Sequence, residues 1–530
     1  MRIPGIKRRD FLKRTAAGAV AAAWAPLVRR ALAGTTSPGA PNIVYILADD
    51  LGYGDLGCQN PESKIPTPNL DRLATEGIRF TDAHSPSAVG MPTRYGLLTG
   101  CYPWRSQLKR GVQQCWNEPI IESDRLTVGK LLKQRGYDTA CIGKWHLGMN
   151  WPTTDGKPPV CVGRTRTADG RTNVDFTRPI ANGPTTRGFD YYFGVDATHI
   201  PPYCFIENER TVGIPAEPKK GMPGCPGPML EGWRLDGILP ALMNKTLEYI
   251  DVKGGGARND VFRQTTGRPF FLYVPLTAPR TPIAPAEEFK GKSQAGAYGD
   301  FVHEVDHVVG RVLQALERNG FDGNTLVIVT SDNGSPGCDG TDMSGAWNSV
   351  LKYGHNPSRP WRGVKTDIWE GGHRVPFLAR WPGRIPMATI SDETICHVDL
   401  LATVAAIVSE KLPDSAGLPA QTTAGEDSYN VLPALLGEKR DRPIREATVH
   451  YSDGGLFAIR QGKWKLITGL GSGGWSQPSS TKPEPGGPEG QLYDLQGDPG
   501  EMNNLWLEHP KVVTALTTLL EKYRLDGRSR

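Results

Sequence analysis

Short apolar runs alternate along the chain with segments of helical periodicity. Four runs of mainly apolar residues, each closed by polar ones, are typical of buried strands and fall at Ile43–Leu47, Thr139–Ile142, Phe270–Leu276 and Leu326–Thr330. A helix is predicted over residues 68–78, and a longer amphipathic helix over Phe301–Arg318, where valine and leucine recur every three or four positions. This alternation predicts an α/β domain built on a mostly parallel sheet.

Polar side chains follow each of the four predicted strands. They are Asp49 and Asp50 after the first strand, Lys144 and His146 after the second, Arg280 after the third, and Asp332 and Asn333 after the fourth. The C-terminal ends of parallel strands share one edge of an open sheet, and ligands bind at that edge. Core packing does not require four polar clusters in one place, so the sequence predicts a ligand site there.

The stretch from Ser85 to Gly100 is typical of a loop that runs into a short helix. Pro92 suits the first helical position, and Gly100 suits the position just past the helix end. The free backbone N–H groups of a helix N-terminus attract anions, and the guanidinium of Arg94 adds a planar fork of donors. The stretch therefore predicts either an anion site or an ordinary capped surface helix.

Residues 151–235 do not continue the alternation of strands and helices, because they are rich in Gly, Pro, Thr and Arg and show little periodicity. We expect a loop-rich insertion over the site. Its aromatic side chains could stack on sugars or could form the core of the loop itself: Tyr191, Tyr192, Tyr203 and Trp233.

The character of the chain changes again near residue 440. Two strands joined by Gln461-Gly462, a third strand and a terminal helix are predicted there, at Val449–Arg460, Lys463–Thr468, Leu492–Leu495 and His509–Tyr523. The segment Gly471–Gly490 is rich in Gly, Pro and Ser and predicts a flexible loop.

Residues 1–33 combine a basic start with a mildly apolar, alanine-rich stretch. Lys7-Arg-Arg-Asp-Phe-Leu-Lys13 resembles a twin-arginine export motif, and Ala31-Leu-Ala33 resembles a cleavage site. The alternative is an amphipathic surface helix. We expect export to the periplasm or the cell exterior. No apolar run reaches the ~18–20 residues that span a bilayer, so stable membrane insertion is not expected.

The basic export segment also dominates the charge of the chain. Residues 1–33 carry eight Lys or Arg against one acid, so their removal changes the formal net charge from +5 to −2. That balance gives no basis for nucleic-acid binding. All nine cysteines lie beyond this segment without metal-finger spacing. An exported protein can form disulfides, and the segment with Cys161, Cys204 and Cys225 is a plausible place for them.

The motifs resemble those of the sulfatase family. Met91-Pro-Thr-Arg94 and Leu97-Leu-Thr-Gly100 match its signature, and Ala48-Asp-Asp-Leu-Gly-Tyr-Gly-Asp55 and Ser331-Asp-Asn-Gly334 match its metal motifs. The resemblance covers residues 41–530. It implies an alkaline phosphatase-like α/β fold, with a large mixed, mostly parallel sheet flanked by helices over residues 41–440. A small C-terminal α+β subdomain with an antiparallel sheet is implied over residues 441–530.

The resemblance also implies a Ca²⁺ site, less readily a Mg²⁺ site, beside a clamp for a sulfate group. The implied metal ligands are all oxygen donors, which suit such hard cations: Asp49, Asp50, Asp332 and Asn333. Arg94, Lys144 and Lys365 match residues that hold the sulfate oxygens or neighbouring catalytic groups. His146 matches the histidine that assists the hydroxyl of formylglycine. The implied partner is a sulfated small molecule or carbohydrate.

Two positions depart from the family pattern. The Cys or Ser that the family oxidises to its catalytic formylglycine falls on Gly90, which has no side-chain carbon to oxidise. The histidine that protonates the leaving oxygen falls on Arg280. A guanidinium stays protonated at ordinary pH and is a poor general acid, although it binds sulfate oxygens well. Hydrolysis is therefore expected to be impaired or lost.

Three hypotheses follow from these departures. The chain is a working exported sulfatase in which formylglycine is recorded as Gly90, although that does not explain Arg280. Alternatively, it binds sulfated glycans without turning them over, which the retained binding groups favour. A phosphomonoesterase of the same superfamily would need Ser or Thr at position 90 and usually a second metal site, and the sequence shows neither.

Overall fold

The computed structural model describes residues 39–160, 172–219, 222–256, 267–341, 346–412 and 424–530. The predicted export segment, residues 1–33, lies outside this range, and so does Cys161. Within the described residues, every helix is too short or too polar to cross a bilayer.

The strands and helices follow in chain order. The strands are β1 (Asn42–Asp49), β2 (Ile78–Phe80), β3 (Ala83–His84), β4 (Asp138–Lys144), β5 (Tyr191–Val195), β6 (Ile206–Glu207), β7 (Arg210–Thr211), β8 (Glu217–Pro218), β9 (Pro228–Met229), β10 (Phe270–Pro279), β11 (Thr325–Ser331), β12 (Phe377–Arg380), β13 (Thr389–Ser391), β14 (Ile395–Cys396), β15 (Thr448–Tyr451), β16 (Phe457–Gln461), β17 (Trp464–Ile467) and β18 (Gln491–Asp494). The helices are α1 (Pro68–Thr75), α2 (Gly90–Thr99), α3 (Val128–Gln134), α4 (Ile238–Lys253), α5 (Gly296–Arg318), α6 (Glu370–His373), α7 (Leu400–Ile407), α8 (Leu432–Leu435) and α9 (Pro510–Leu525).

A ten-stranded sheet forms the centre, in the order β13-β2-β12-β11-β1-β10-β4-β5-β6-β7. The five middle strands from β11 to β5 run parallel to one another, whereas β12, β6 and β7 are antiparallel to their neighbours. Strand β1 buries both faces: Tyr45 and Leu47 pack into one apolar cluster, and Val44 and Ile46 into another. Burial on both faces explains why its sequence is continuously apolar rather than alternating.

The predicted fold class, a mostly parallel sheet with a small antiparallel C-terminal sheet, is confirmed. All four predicted strands are observed as β1, β4, β10 and β11, each one to three residues longer at its ends than predicted. The long helix α5 starts at Gly296 rather than Phe301. The loop-rich prediction for residues 151–235 is wrong in one respect, because Tyr191–Val195 is a strand of the central sheet.

The C-terminal part forms a separate antiparallel sheet in the order β15-β16-β17-β18, and α9 packs on it through Leu516 and Leu520. The single strand predicted over Val449–Arg460 is wrong. It is two strands, because Ser452-Asp-Gly-Gly455 turns the chain between β15 and β16. Asp and Gly favour such turns, so the signal was present in the sequence.

A buried charge cluster joins the C-terminal sheet to the main domain. Its members are fully inaccessible to solvent: His84, Glu370, His373, His450, Lys465 and Glu501. Lys465 Nζ lies 3.0 Å from Glu370 and 2.8 Å from Glu501. The rings of His373 and His450 stack with their centroids 4.0 Å apart. These contacts couple β15 and β17 to α6 of the main domain.

The cysteine prediction is wrong for two of its three residues. Cys204 and Cys225 are free thiols, whereas Cys115 is disulfide-bonded. Burial raises the pKa of the Cys204 thiol to about 12, so this thiol stays protonated and unreactive at neutral pH.

Candidate active site

The C-terminal ends of β11, β1, β10 and β4 lie side by side and bring the predicted polar clusters together. Asp49 ends β1, Lys144 ends β4, Arg280 directly follows β10, and Asp332 directly follows β11. The order of these strands was not predicted. The parallel arrangement alone places their ends at one edge, where ligands bind in open α/β sheets.

Three buried carboxylates form the centre of the site. One oxygen from each of Asp49, Asp50 and Asp332 lies within 4.8 Å of the others, and all three residues are inaccessible to solvent. Asp50 has a φ of 72°, a left-handed conformation that non-glycine residues rarely adopt. The backbone N–H of Asp50 donates to Oδ1 of Asp332 over 3.1 Å. The two acidic motifs, 282 residues apart, therefore contact each other directly.

Each carboxylate pairs with one of the predicted cations. Lys144 Nζ donates to Asp49 Oδ2 over 2.6 Å. Lys365 Nζ lies 2.6 and 2.7 Å from the two oxygens of Asp50. Arg94 donates twice to Asp332 Oδ2, from Nε at 3.1 Å and Nη2 at 2.8 Å. The predicted anion clamp and the predicted metal ligands thus form one contiguous network.

The donor set fits a hard divalent cation. Oδ1 of Asp49 and Oδ1 of Asn333 are buried and have no hydrogen-bond partner among the described residues. An unpaired buried oxygen is costly unless a ligand satisfies it. The Asn333 amide points its nitrogen at Asp50 Oδ1, 2.7 Å away, which leaves its oxygen free. Carboxylate and amide oxygens are the ligands that Ca²⁺ and Mg²⁺ prefer.

Gly90 is the first residue of α2, so the prediction that this helix begins at Pro92 is wrong by two positions. Gly100 follows its end with a φ of 68°, as predicted. A β-carbon built on Gly90 would lie 2.2 Å from Oδ2 of Asp332 and 3.3 Å from Oδ1 of Asn333. A side chain here would therefore point at the carboxylates, and the Asp332 carboxylate occupies its space.

Burial and charge shift the pKa values of these groups in different directions. Burial alone would raise the pKa of Asp49, but Lys144 and Arg94 outweigh it and hold that pKa well below its usual range. Burial lowers the pKa of the Lys144 amine to about 8, although Asp49 opposes the change. Burial, together with Asp49, raises the pKa of Asp332 to about 6. Asp49 and Lys144 thus remain a charged pair at neutral pH.

Two histidines stand beside this network. Burial, followed by the charge of Lys144, lowers the pKa of His146 far below its usual value, so its imidazole is neutral. Its backbone N–H donates to Asp196 over 3.1 Å, and Nδ1 has no partner among the described residues. The ring of His199 lies edge-to-face 5.9 Å away, also neutral, and was not predicted from the sequence.

Arg280, which directly follows β10, faces the same network. Its Nε lies 3.8 Å from Asp49 Oδ1, and its Nη1 donates to the carbonyl of Thr281 over 2.5 Å. Nη1 also lies 3.4 Å from the hydroxyl of Thr198. The guanidinium is therefore oriented by backbone and hydroxyl contacts while its charge points at the carboxylates.

A cavity of about 250 Å³ opens onto Gly90 and the cations Lys144, Arg280 and Lys365. The C-terminal part of the chain contributes Asp453 and Trp475 to its lining. Sequence reasoning missed both residues, because it assigned one to a strand and the other to a flexible loop. Of the aromatic residues considered as sugar platforms, Tyr191, Tyr192 and Tyr203 are buried core residues.

Comparisons with known proteins agree with this geometry. The sulfatase family model matches residues 41–409. The chain is 33% identical over 522 residues to an N-acetylgalactosamine-6-O-sulfatase of Bacteroides thetaiotaomicron, covering 91% of this chain and 93% of that protein. It is 33% identical to human arylsulfatase A over 523 residues, covering 93% and 90%.

A solved structure of a Bacteroides thetaiotaomicron protein, described in the metabolism of multiple glycosaminoglycans, superimposes with a TM-score of 0.74 at 30% identity. The match covers 92% of this chain and all of that one. The strand-end carboxylates, the clamp cations and these matches lead to one conclusion: the chain belongs to the sulfatase family.

Proposed function

We propose that this protein is exported, binds sulfated carbohydrates in a calcium-dependent site, and hydrolyses their sulfate esters negligibly. The observation that carries the proposal is Gly90. It stands at the start of α2 and lines the cavity, as do the cations Lys144, Arg280 and Lys365. The groups that bind an anion are present, and the group that would attack the sulfur atom is absent.

Calcium would be held by Asp49, Asp50, Asp332 and Asn333. The unpartnered oxygens of Asp49 and Asn333 and the absence of nitrogen or sulfur donors in this set favour a hard cation. When bound, the ion supplies positive charge that offsets the carboxylates and attracts the sulfate group. We expect a weaker site than in a sulfatase with formylglycine, since Gly90 offers no side-chain oxygen.

The loss of chemistry has two parts. Gly90 provides no side chain for oxidation to formylglycine, so no covalent nucleophile is available. A guanidinium is a poor general acid, so with Arg280 at this place the leaving oxygen lacks a donor. His146 is neutral and close to the cavity, but it has no nucleophile to assist. The remaining groups bind and orient a sulfate ester, and such electrostatic positioning alone gives only a small residual rate.

The substrate class follows from the relatives. The bacterial relative is named for 6-sulfated N-acetylgalactosamine, and a solved relative is described in glycosaminoglycan metabolism. These names support a sulfated carbohydrate as the ligand of this site. Export is supported by the twin-arginine pattern of residues 1–33. Mass spectrometry of the exported protein should find an N-terminus near Gly34, whereas an intact Met1 would contradict export with cleavage.

Turnover of aryl and sugar sulfates tests the proposal. We expect no measurable turnover by a chain that mass spectrometry shows to carry glycine at position 90. Gly90→Cys, coexpressed with the formylglycine-generating machinery, should give a slow enzyme. Adding Arg280→His should raise its rate on sugar sulfates by about 10²–10⁴-fold, the usual effect of general acid catalysis.

The gain from Arg280→His should be smaller on an activated aryl sulfate, because its leaving group needs little protonation. Robust turnover by the confirmed Gly90 protein would contradict the proposal. A mass at position 90 that corresponds to formylglycine would instead identify a working sulfatase. Failure to bind any sulfated ligand in the presence of calcium would refute the binding function as well.

A further inference from the structure

We propose that Asp453 and Trp475 form a saccharide-recognition wall of the pocket, so that its ligand is a sulfated sugar rather than inorganic sulfate or a simple aryl sulfate. The proposal depends on the sulfate-binding function given above. It adds which part of the ligand is recognised and by which residues. The name "saccharide wall" is used below for Asp453 and Trp475 together.

The saccharide wall comes from the C-terminal part of the chain. Asp453 lies in the turn between β15 and β16, and Trp475 lies in the long segment between β17 and β18. Both line the same cavity as Lys144, Arg280 and Lys365. The main domain therefore supplies the cations for the sulfate group, and the C-terminal part supplies an aromatic ring and a carboxylate to the same cavity.

Thr366 holds both members of the wall in place. It follows the clamp residue Lys365, and its carbonyl accepts from the Asp453 N–H over 3.1 Å while its hydroxyl accepts from the Trp475 N–H over 2.9 Å. Its own N–H donates to Ala88 O over 2.8 Å, next to the start of α2. One residue thus fixes the distance between the wall and the sulfate clamp.

The backbone of Thr366 is strained, with a φ of 77°. A β-branched residue in this region is a genuine outlier, and such strain persists only where the surroundings hold it, most often at binding sites. The neighbouring Asp367 adds to the anchor, because its Oδ1 accepts from the Ser476 N–H over 3.0 Å. The first part of the predicted flexible loop is therefore bound to the clamp segment.

The chemistry of the wall matches a pyranose ring. Trp475 is 36% exposed and lines the cavity, and an aromatic ring at this place suits the apolar C–H face of a sugar. The Asp453 carboxylate is half-buried and accepts no hydrogen bond from the described residues. Burial raises its pKa, although Lys365 opposes the shift. Sugar hydroxyl or amide groups would supply the missing donors.

The same carboxylate favours a sugar sulfate over simpler ligands. Inorganic sulfate at neutral pH has no hydrogen-bond donor for Asp453, and an unsubstituted aryl sulfate has none either. An aryl ring could still stack on Trp475, so the two wall residues make separable contributions. Trp475 favours any ring beside the sulfate group, and Asp453 selects the rings that carry hydroxyl or amide donors.

Isothermal titration calorimetry on the full-length protein with calcium tests the wall. The probes are N-acetylgalactosamine 6-sulfate, 4-nitrophenyl sulfate and inorganic sulfate. Trp475→Ala should weaken the sugar sulfate and the aryl sulfate about tenfold each, the effect expected for a lost aromatic contact. Asp453→Ala should weaken the sugar sulfate alone by a similar factor. Both variants should bind inorganic sulfate within twofold of the wild type.

Trp347→Ala serves as the matched control, because Trp347 is 39% exposed but does not line this cavity. It should bind all three probes like the wild type. Equal affinities of wild type, Trp475→Ala and Asp453→Ala for the sugar sulfate would overturn the wall while leaving sulfate binding intact. A wild type that binds none of the three probes would refute the underlying sulfate-binding function instead. Circular dichroism of each variant confirms that the fold is retained.

Discussion

A β-carbon at position 90 offers a direct test of the contacts that hold this site together. The Asp332 carboxylate occupies the place that a side chain at 90 would take, with Oδ2 2.2 Å from the ideal β-carbon position. Gly90→Ala must therefore push this carboxylate aside. The movement breaks the two bonds from Arg94, now 3.1 and 2.8 Å long. It leaves both partners buried.

The size of the effect follows from those two bonds. Hydrogen bonds to charged groups contribute about 1.5–3 kcal/mol each, so breaking both bonds from Arg94 would remove up to about 6 kcal/mol of stability. Alanine recovers up to about 1 kcal/mol over glycine in a helix, and the carboxylate keeps its bond from Asp50 N–H if it only rotates. We expect Gly90→Ala to lower the free energy of unfolding by about 2–4 kcal/mol in the absence of calcium.

Calcium should reduce this deficit. The displaced Asp332 carboxylate can turn toward the ion. Its interaction with calcium then offsets part of the energy that the same movement costs in the metal-free protein. At 100 times its dissociation constant, a ligand of the folded state adds about 2.7 kcal/mol of stability. Urea unfolding of wild type and Gly90→Ala, each with calcium and with a chelator, measures all four free energies. Gly323→Ala, at a glycine with open space around it, is the control.

Two results would contradict this reasoning. If Gly90→Ala is as stable as the wild type in chelator, the Asp332 carboxylate does not depend on the space above Gly90. If calcium stabilises neither protein at millimolar concentration, the four oxygen donors do not form the calcium site proposed here.

Two further predictions concern the buried charge cluster that joins the C-terminal sheet. Lys465→Met should lower the free energy of unfolding by about 3–5 kcal/mol, since it leaves Glu370 and Glu501 buried without their cation. Urea unfolding measures this change, and a loss under about 1 kcal/mol would contradict the pairing. Burial lowers the pKa of His373 and of His450 well below the usual value, so below pH ~6.5 the unfolded chain binds more protons than the folded one. The free energy of unfolding therefore decreases as the pH is lowered, by about 1.4 kcal/mol per histidine at pH 5.5. His450→Gln should flatten this slope in acid unfolding curves, while His509→Gln, at a half-buried position outside the cluster, should not. Equal slopes in both variants would refute the assignment.

The strand ends of the main domain were predictable for a physical reason. A strand buried on both faces must be continuously apolar, and polar residues that follow it must find partners at the sheet edge. Asp49 and Asp332 could therefore be assigned to one edge without knowledge of strand order. Strand β5 escaped prediction because it lies in a segment rich in turn residues, and five residues give too weak a signal against that background.

The saccharide wall could not be predicted, because it depends on contacts between residues far apart in sequence. Trp475 meets the clamp through Thr366, which lies 109 residues earlier. Nothing local marks Thr366 as strained, since threonine at this φ is imposed by the surrounding contacts rather than by its own preference. A Gly/Pro/Ser-rich segment gives the same sequence signal whether it is anchored or free. Sequence patterns thus predicted the charged residues of the pocket but not the saccharide wall.

The two proposed departures from the sulfatase pattern, Gly90 and Arg280, would act in the same direction on a bound anion. A guanidinium carries a full positive charge at any ordinary pH, so Arg280 adds a cation to the pocket that a histidine would not always supply. That charge binds the sulfate ester in the ground state as well as in any transition state, and uniform binding of this kind does not accelerate a reaction. On the function proposed above, a pocket with Gly90 and Arg280 retains a sulfated ligand rather than turning it over, and we expect that restoring the nucleophile alone would leave that retention in place.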